Sequence, residues 1–201
     1  MFRVFGHHKC SILDGGLPRW EAEGFPVEIQ PPVEAKKSQY PTPKFDKDTV
    51  RSYQQIVTNS CLNPSENSSA EIVVDARSLG RYLGTEPEPR PGLSSGHIPH
   101  SLSIPFTSFL QTHSFPHSST KYTTYRTTAE IGQALVDAVG AIHLEQILKG
   151  ERSIITSCGS GMTAGVLWLG LKLLGVRQVG LYDESWTGYA ARKSSIIEKS
   201  P

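Results

Sequence analysis

From residue 46 onward, short apolar runs alternate with amphipathic stretches. Asp46 or Asp48 is placed to cap a helix carrying Val50, Tyr53, Ile56 and Val57 on one face. Asn63 to Ser69 reads as a polar loop, and Glu71 to Asp75 as a short buried strand. Gly84 to His100 holds four prolines with Gly84, Gly92 and Gly96, which predicts a structured loop. Leu102 to Ile104 is a short strand closed by Pro105. Thr127-Thr-Ala-Glu130 is a capping box opening a helix with Ile131, Leu135 and Val139 inward. Ser153 to Thr156 is a further strand, and Met162 to Leu174 is apolar nearly all round, which predicts a buried helix. Val179 to Tyr182 is the last strand, and Ser185 opens the last helix. This alternation predicts an α/β fold with a mainly parallel central sheet flanked by helices.

The first residues follow another pattern. Phe2, Val4 and Phe5 form an apolar start without the basic amphipathic helix of a presequence. Cys10 to Leu13 reads as a short strand ending at Asp14-Gly15-Gly16, and Pro18 to Glu23 as one or two helical turns stopped by Gly24. Five prolines between Pro26 and Pro43 mark a linker. The series Phe5-Gly6, Ile12, Asp14, Trp20 recurs at a constant offset as Leu174-Gly175, Leu181, Asp183, Tyr189. Two such strand–turn–helix units point to a tandem repeat of which only the end of the first copy is present.

Composition narrows the reading. The chain has 201 residues, 37% hydrophobic and 19% charged, with a net charge of +1. That is enough for one sizeable core and supplies no dominant basic face for nucleic acid. No apolar run reaches the ~18 residues of a membrane span. Cys10, Cys61 and Cys158 are sparse and odd in number, which fits a reducing compartment rather than a disulfide scaffold. No cysteine or histidine cluster has zinc spacing, so no metal is implied.

Cys158 lies between a predicted strand and a predicted helix, in the loop Cys158-Gly159-Ser160-Gly161-Met162-Thr163. In α/β sheets such loops hold ligands at the carboxyl ends of strands. The glycines let the backbone curl, so several N–H groups are expected to converge on the sulfur. Those amides and the helix N-terminus favour a thiolate nucleophile or a persulfide. A cysteine phosphatase loop would need an arginine where Ala164 and Gly165 stand, so an uncharged loop suits sulfur transfer better. Cys10 and Cys61 are expected to be structural. Asp75 and Arg77 are expected to pair and brace the loop, and His97 to be a satisfied turn histidine.

The loop Cys158 to Ala164 resembles the active loop of the 3-mercaptopyruvate sulfurtransferases in the rhodanese superfamily. Val74-Asp-Ala-Arg77, Gly80-Arg-Tyr82, Glu88-Pro-Arg-Pro-Gly92, Gly96-His-Ile-Pro99 and Tyr182-Asp-Glu-Ser-Trp186 extend the resemblance, which covers the whole chain and is to tandem-domain, fungal-type members. It implies that residues 1–24 are the end of a first, non-catalytic rhodanese domain, 25–45 a Pro-rich linker, and 46–201 the catalytic rhodanese domain. It further implies that Cys158 takes sulfur from 3-mercaptopyruvate, releases pyruvate and passes the persulfide sulfur on. The acceptor would be thioredoxin or another thiol, cyanide, or a sulfur-carrier protein, as in the tRNA wobble-uridine thiolation pathway, without direct nucleic-acid or membrane binding. Arg81 and Arg90 resemble the pair that grips the substrate carboxylate and keto oxygen, a task suited to bidentate guanidinium donors. Ser160 resembles a proton-relaying loop hydroxyl, and the resemblance implies that the amides of Gly159, Ser160, Gly161, Met162 and Thr163 cradle the persulfide on the sulfur. No cofactor is implied, and the expected location is the cytoplasm or the mitochondrion. The alternatives are a persulfide relay module without turnover and an inactive truncated form. The resemblance also places an acid and a histidine in the first domain, and neither can be assigned in this chain.

Three positions depart from the family pattern. His100 replaces the glycine that closes Gly-His-Ile-Pro-Gly, which is expected to strain a positive-φ position. Glu184 stands for the glycine of Asp-Gly-Ser-Trp, and Gly188 for the glutamate two residues after the tryptophan, which puts the local packing in question.

Overall fold

The computed structural model describes residues 1–37, 39–115 and 120–200. In chain order the elements are a 3-10 turn (Phe2–Phe5), α1 (Gly16–Ala22), β1 (Val50–Arg51), α2 (Tyr53–Ser60), β2 (Ile72–Asp75), α3 (Leu79–Leu83), β3 (Leu102–Ser103), a second 3-10 turn (Phe106–Phe109), β4 (Leu110–Ser114), β5 (Lys121–Tyr125), α4 (Thr128–Val139), α5 (Ala141–Lys149), β6 (Ile154–Ser157), α6 (Ala164–Leu173), β7 (Val179–Tyr182) and α7 (Ser185–Ala190). They form two compact units, Met1–Lys47 with Leu110–Tyr125, and Asp48–Phe109 with Arg126–Pro201.

The larger unit is built on a five-stranded sheet in the order β1-β7-β6-β2-β3, with every neighbouring pair parallel. On one face Val73, Ile155 and Tyr182 pack against Ile56 of α2, Ile98, and Trp186 and Tyr189 of α7. On the other, α6 packs on β6 and β7 beside α4. Val179–Tyr182 forms as its apolar run predicts. β2 and β6 each begin one residue later than expected.

The first helix is a correction. The expected helix from Asp46 or Asp48 begins only at Tyr53, and Val50–Arg51 is instead a strand paired with Leu181 and Tyr182. The Ser52 hydroxyl accepts the Gln55 amide at 3.3 Å while Gln55 Oε1 accepts the Ser52 amide at 2.8 Å. This capping box, not the aspartates, sets the helix start. The same device at Thr127 and Glu130 opens α4 as expected, with Ile131, Leu135 and Val139 buried. The apolar helix after Cys158 is shorter than expected and not buried all round. Its buried positions are Ala164, Leu167, Gly170 and Leu171, one helical face, while Leu173 is half exposed.

In the smaller unit α1 forms close to its expected place, but Cys10 to Leu13 is not a strand. An extended segment holds its shape by pairing, and no described strand lies beside it. The antiparallel pair β4–β5 had no counterpart in the sequence reading, because polar residues alternate there with polar ones. It is held by the stacked rings of His113 and Tyr122, 4.9 Å apart, and a 2.8 Å bond between His113 Nε2 and Thr124 Oγ1. The Tyr125 amide donates to Asp14 at 3.0 Å. Positions paired in the expected repeat share some backbone conformations. Gly6 and Gly175 both have φ near +80°, and Gly16 and Ser185 open α1 and α7 at φ of 58° and 49°.

His97 is satisfied, as expected: its Nδ1 lies 2.9 Å from the Tyr82 carbonyl oxygen and its ring stacks on Tyr82 at 4.1 Å. His100 has a φ of 60° and is solvent-exposed. A side chain in this region crowds the following carbonyl, which glycine avoids. His100→Gly should therefore stabilise the fold by about 0.5–1 kcal/mol, raising Tm by roughly 1–4 °C in a thermal melt. An unchanged or lowered Tm would show that the histidine costs nothing there.

Candidate active site

Cys158 follows directly on β6, at the carboxyl edge of the sheet, and only 1% of it is exposed. Its backbone is held from the other side by the start of α7. The Trp186 amide donates to the Cys158 carbonyl at 2.9 Å and the Thr187 amide to that of Gly159 at 3.0 Å. Ser185 enters between them. Its Oγ accepts the amides of Cys158 at 3.0 Å and Gly161 at 3.1 Å and donates to the Tyr182 carbonyl at 2.7 Å. The same oxygen lies 4.0 Å from the Cys158 sulfur. The positive φ of 49° at Ser185 is uncommon for serine and brings the hydroxyl into the loop.

This changes the expected cradle. Of the amides expected on the sulfur, that of Ser160 reaches it, at 3.4 Å. The Gly161 amide is taken by Ser185, and the amides of Met162 and Thr163 have no hydrogen-bond partner among the described residues. Gly159 contributes its carbonyl, which accepts the Thr187 hydroxyl at 2.5 Å. Gly161 is required as glycine twice over. Its φ is +81°, and a Cβ there would stand 2.6 Å from the Asp183 carbonyl oxygen. The Ser160 and Met162 side chains are exposed, and Thr163 makes no side-chain cap to α6.

Asp75 and Arg77 do pair, within a larger buried network. Arg77 binds Asp75 at 2.6 Å, Glu88 at 2.7 Å and the Gly96 carbonyl at 2.6 Å. Its guanidinium carbon lies 4.2 Å above the Trp186 ring, which connects this network to the residue bonded to Cys158. Glu88 receives Arg77 and Arg81 together, the latter through Nη2 at 2.5 Å and Nε at 3.1 Å. Arg81 Nη2 stands 3.1 Å from where a Cβ on Gly159 would be. Arg90 is exposed and donates from Nη1 to the Thr187 hydroxyl, which itself holds Gly159. The two arginines singled out in the sequence are thus both gathered at Gly159. The residues that place them, Glu88 and Thr187, were not foreseen, nor was Ser185. Glu88 and Ser185 lie inside quoted motifs, and the signal available for Glu88 is a carboxylate spaced between Arg81 of α3 and Arg90 of the following loop.

The two departures near α7 are coupled. A Cβ on Gly188 would stand 2.5 Å from Glu184 Cβ, so a side chain at one position excludes the other. Glu184 in turn pairs with Arg192 at 2.6 Å, so a carboxylate is kept on this turn. Gly188→Ala should destabilise the chain by about 1–3 kcal/mol through this clash. In an Glu184→Gly background the same change should be neutral or stabilising, as alanine normally is in a helix. Denaturant melts of the four proteins in a double-mutant cycle measure the coupling, and an equal effect of Gly188→Ala in both backgrounds would remove it.

Comparison with known proteins agrees with this geometry. The family model described as "Rhodanese-like domain" matches residues 59–192. The probable 3-mercaptopyruvate sulfurtransferase of Schizosaccharomyces pombe is 37% identical over 203 residues, covering 100% of this chain and 62% of that protein. The crystal structure of the Tum1 protein from Saccharomyces cerevisiae superposes with a TM-score of 0.72 at 28% identity, over 99% of this chain and 63% of the other. The yeast mitochondrial complex I sub-stoichiometric sulfur transferase subunit superposes with a TM-score of 0.76 at 25% identity, over 100% and 66%. The chain therefore spans about three fifths of the length of the curated relatives it matches. With a cysteine loop closed at the carboxyl edge of a parallel sheet, and a domain match across most of its length, the chain belongs to the rhodanese-like domain family.

Proposed function

We propose that the chain is a sulfurtransferase that carries sulfur as a persulfide on Cys158, with 3-mercaptopyruvate as donor. The observation that carries this reading is the uncharged loop around a buried Cys158 sulfur, with the Ser160 amide directed at it. The Cys158 thiolate attacks the donor sulfur. The carbon–sulfur bond breaks, its electron pair leaves with the pyruvate enolate, and protonation gives pyruvate. Arg81 and Arg90 hold the donor carboxylate and keto oxygen, and the exposed Ser160 hydroxyl relays the proton. The amides of Met162 and Thr163, beside the N-terminus of α6, supply donors for the negative persulfide. An acceptor thiolate, of thioredoxin, a small thiol or a sulfur-carrier protein, then attacks the outer sulfur and releases Cys158. The names of the Schizosaccharomyces pombe relative and the yeast mitochondrial subunit support the donor and a mitochondrial setting, with the cytoplasm as a second expected location. Among the described residues no helix is long and apolar enough to cross a membrane.

Incubation of the intact chain with 3-mercaptopyruvate should release pyruvate and add ~32 Da, one sulfur atom, to the peptide containing Cys158. Cys158→Ser should abolish both signals. Sulfur on Cys10 or Cys61, or pyruvate release that survives Cys158→Ser, would contradict the assignment.

A further inference from the structure

Glu88 has a side chain only 3% exposed, yet it lies in the same loop as Arg90 and touches two guanidinium groups. Its contacts make a neutral quartet: Asp75 with Arg77, and Glu88 with both Arg77 and Arg81. The Arg77 and Asp75 side chains are 1% and 3% exposed, so water and salt screen these charges weakly. Arg81 is the outward end of the quartet, 23% exposed, with Nη2 both on Glu88 and beside Gly159. Two further charges of opposite sign stand near the loop. Arg90 reaches Thr187, and Asp183 Oδ1 would lie 2.9 Å from a Cβ on Gly161.

We propose that Glu88 is a specificity-determining residue: it holds Arg81 beside the Cys158 loop while cancelling its charge, and so favours singly charged sulfur donors over doubly charged ones. The inference rests on the sulfurtransferase reading of Cys158 and adds the basis on which donors are sorted. A guanidinium that shares a buried carboxylate still offers directed N–H groups to a donor carboxylate, but it adds little net positive potential. A singly charged 2-oxo carboxylate thiol needs the directed donors. A dianion such as thiosulfate needs the uncompensated charge. Removing the carboxylate alone should therefore improve the site for the dianion relative to the monoanion.

The test compares the wild-type chain with Glu88→Gln, which keeps the size and one acceptor, and with Arg81→Gln, which shifts the charge the other way. One measurement is the ratio of Cys158 alkylation rates by anionic iodoacetate and neutral iodoacetamide, read on the Cys158 peptide by mass. It reports the potential at the sulfur without any sulfur transfer. Glu88→Gln should raise this ratio by about 3- to 10-fold, the scale of one unit charge in a partly solvated site, and Arg81→Gln should lower it. The other measurement is the ratio of persulfide loading from thiosulfate to that from 3-mercaptopyruvate, which Glu88→Gln should raise in the same direction. Since the two variants shift the alkylation ratio in opposite senses, either one that folds decides the question. An unchanged alkylation ratio overturns the charge assignment, and a shifted alkylation ratio with an unchanged donor ratio overturns the selection. Failure of the wild-type chain to load from either donor would instead overturn the sulfurtransferase reading, with the alkylation ratio still deciding the role of Glu88.

Discussion

The Ser185 hydroxyl is the point on which the Cys158 loop closes. It accepts the amides of Cys158 and Gly161 and donates to the carbonyl of Tyr182, tying the end of β6, the middle of the loop and the end of β7 to one atom. Each of those amides would otherwise be a buried or half-buried donor without a partner, at a cost of about 1–3 kcal/mol. The arrangement needs a serine at φ of 49° and a glycine at φ of +81° facing it, so two unusual backbone conformations are held by one set of hydrogen bonds. Backbone strain of this kind persists only where the surroundings over-determine it. Here the surroundings are the two α7 amides on Cys158 and Gly159 and the Trp186 ring under Arg77.

The buried ions follow from the same requirement. Four charged groups at a sheet edge are expensive to desolvate and give little net stability compared with apolar packing. Their value lies in position. Register places Asp75 beside Ser157, so the carboxylate that fixes Arg77 is opposite the residue that precedes Cys158. From Arg77 the network runs through Glu88 to Arg81 and through Trp186 to the Cys158 carbonyl. An uncharged loop is thereby bordered by a buried ion network without a charged side chain inside it.

Much of this was legible in the chain. The apolar runs at Val73, Ile155 and Val179 are too short for helices and lie between amphipathic stretches, so the parallel sheet follows from their spacing. The position of Cys158 after a strand and before an apolar helix, with two glycines following it, marks the candidate site. The rest depends on tertiary context. The strand at Val50 exists only because β7 offers an edge, and nothing in Val50-Arg51 signals it. The β4–β5 pair is stabilised by cross-strand contacts among polar residues, which leave no hydrophobic alternation to read. The expectation that loop amides converge on the sulfur overlooked a competitor, because the hydroxyl that takes the Gly161 amide comes from a residue 24 positions away in sequence. Likewise Glu184 and Gly188 read as two separate departures, and only the distance between them shows that they are one.

Ser185 holds the Cys158 loop shut, and residue-resolved amide hydrogen exchange in Ser185→Ala measures this most directly. Loss of the hydroxyl should leave the Cys158 and Gly161 amides without their acceptor. Exchange at those two amides should accelerate by roughly 10- to 100-fold, the scale of about 1.4–2.8 kcal/mol of lost local protection, while the amides of β2 and β6 keep theirs. Unchanged protection at Cys158 and Gly161 in a folded Ser185→Ala protein would contradict the account.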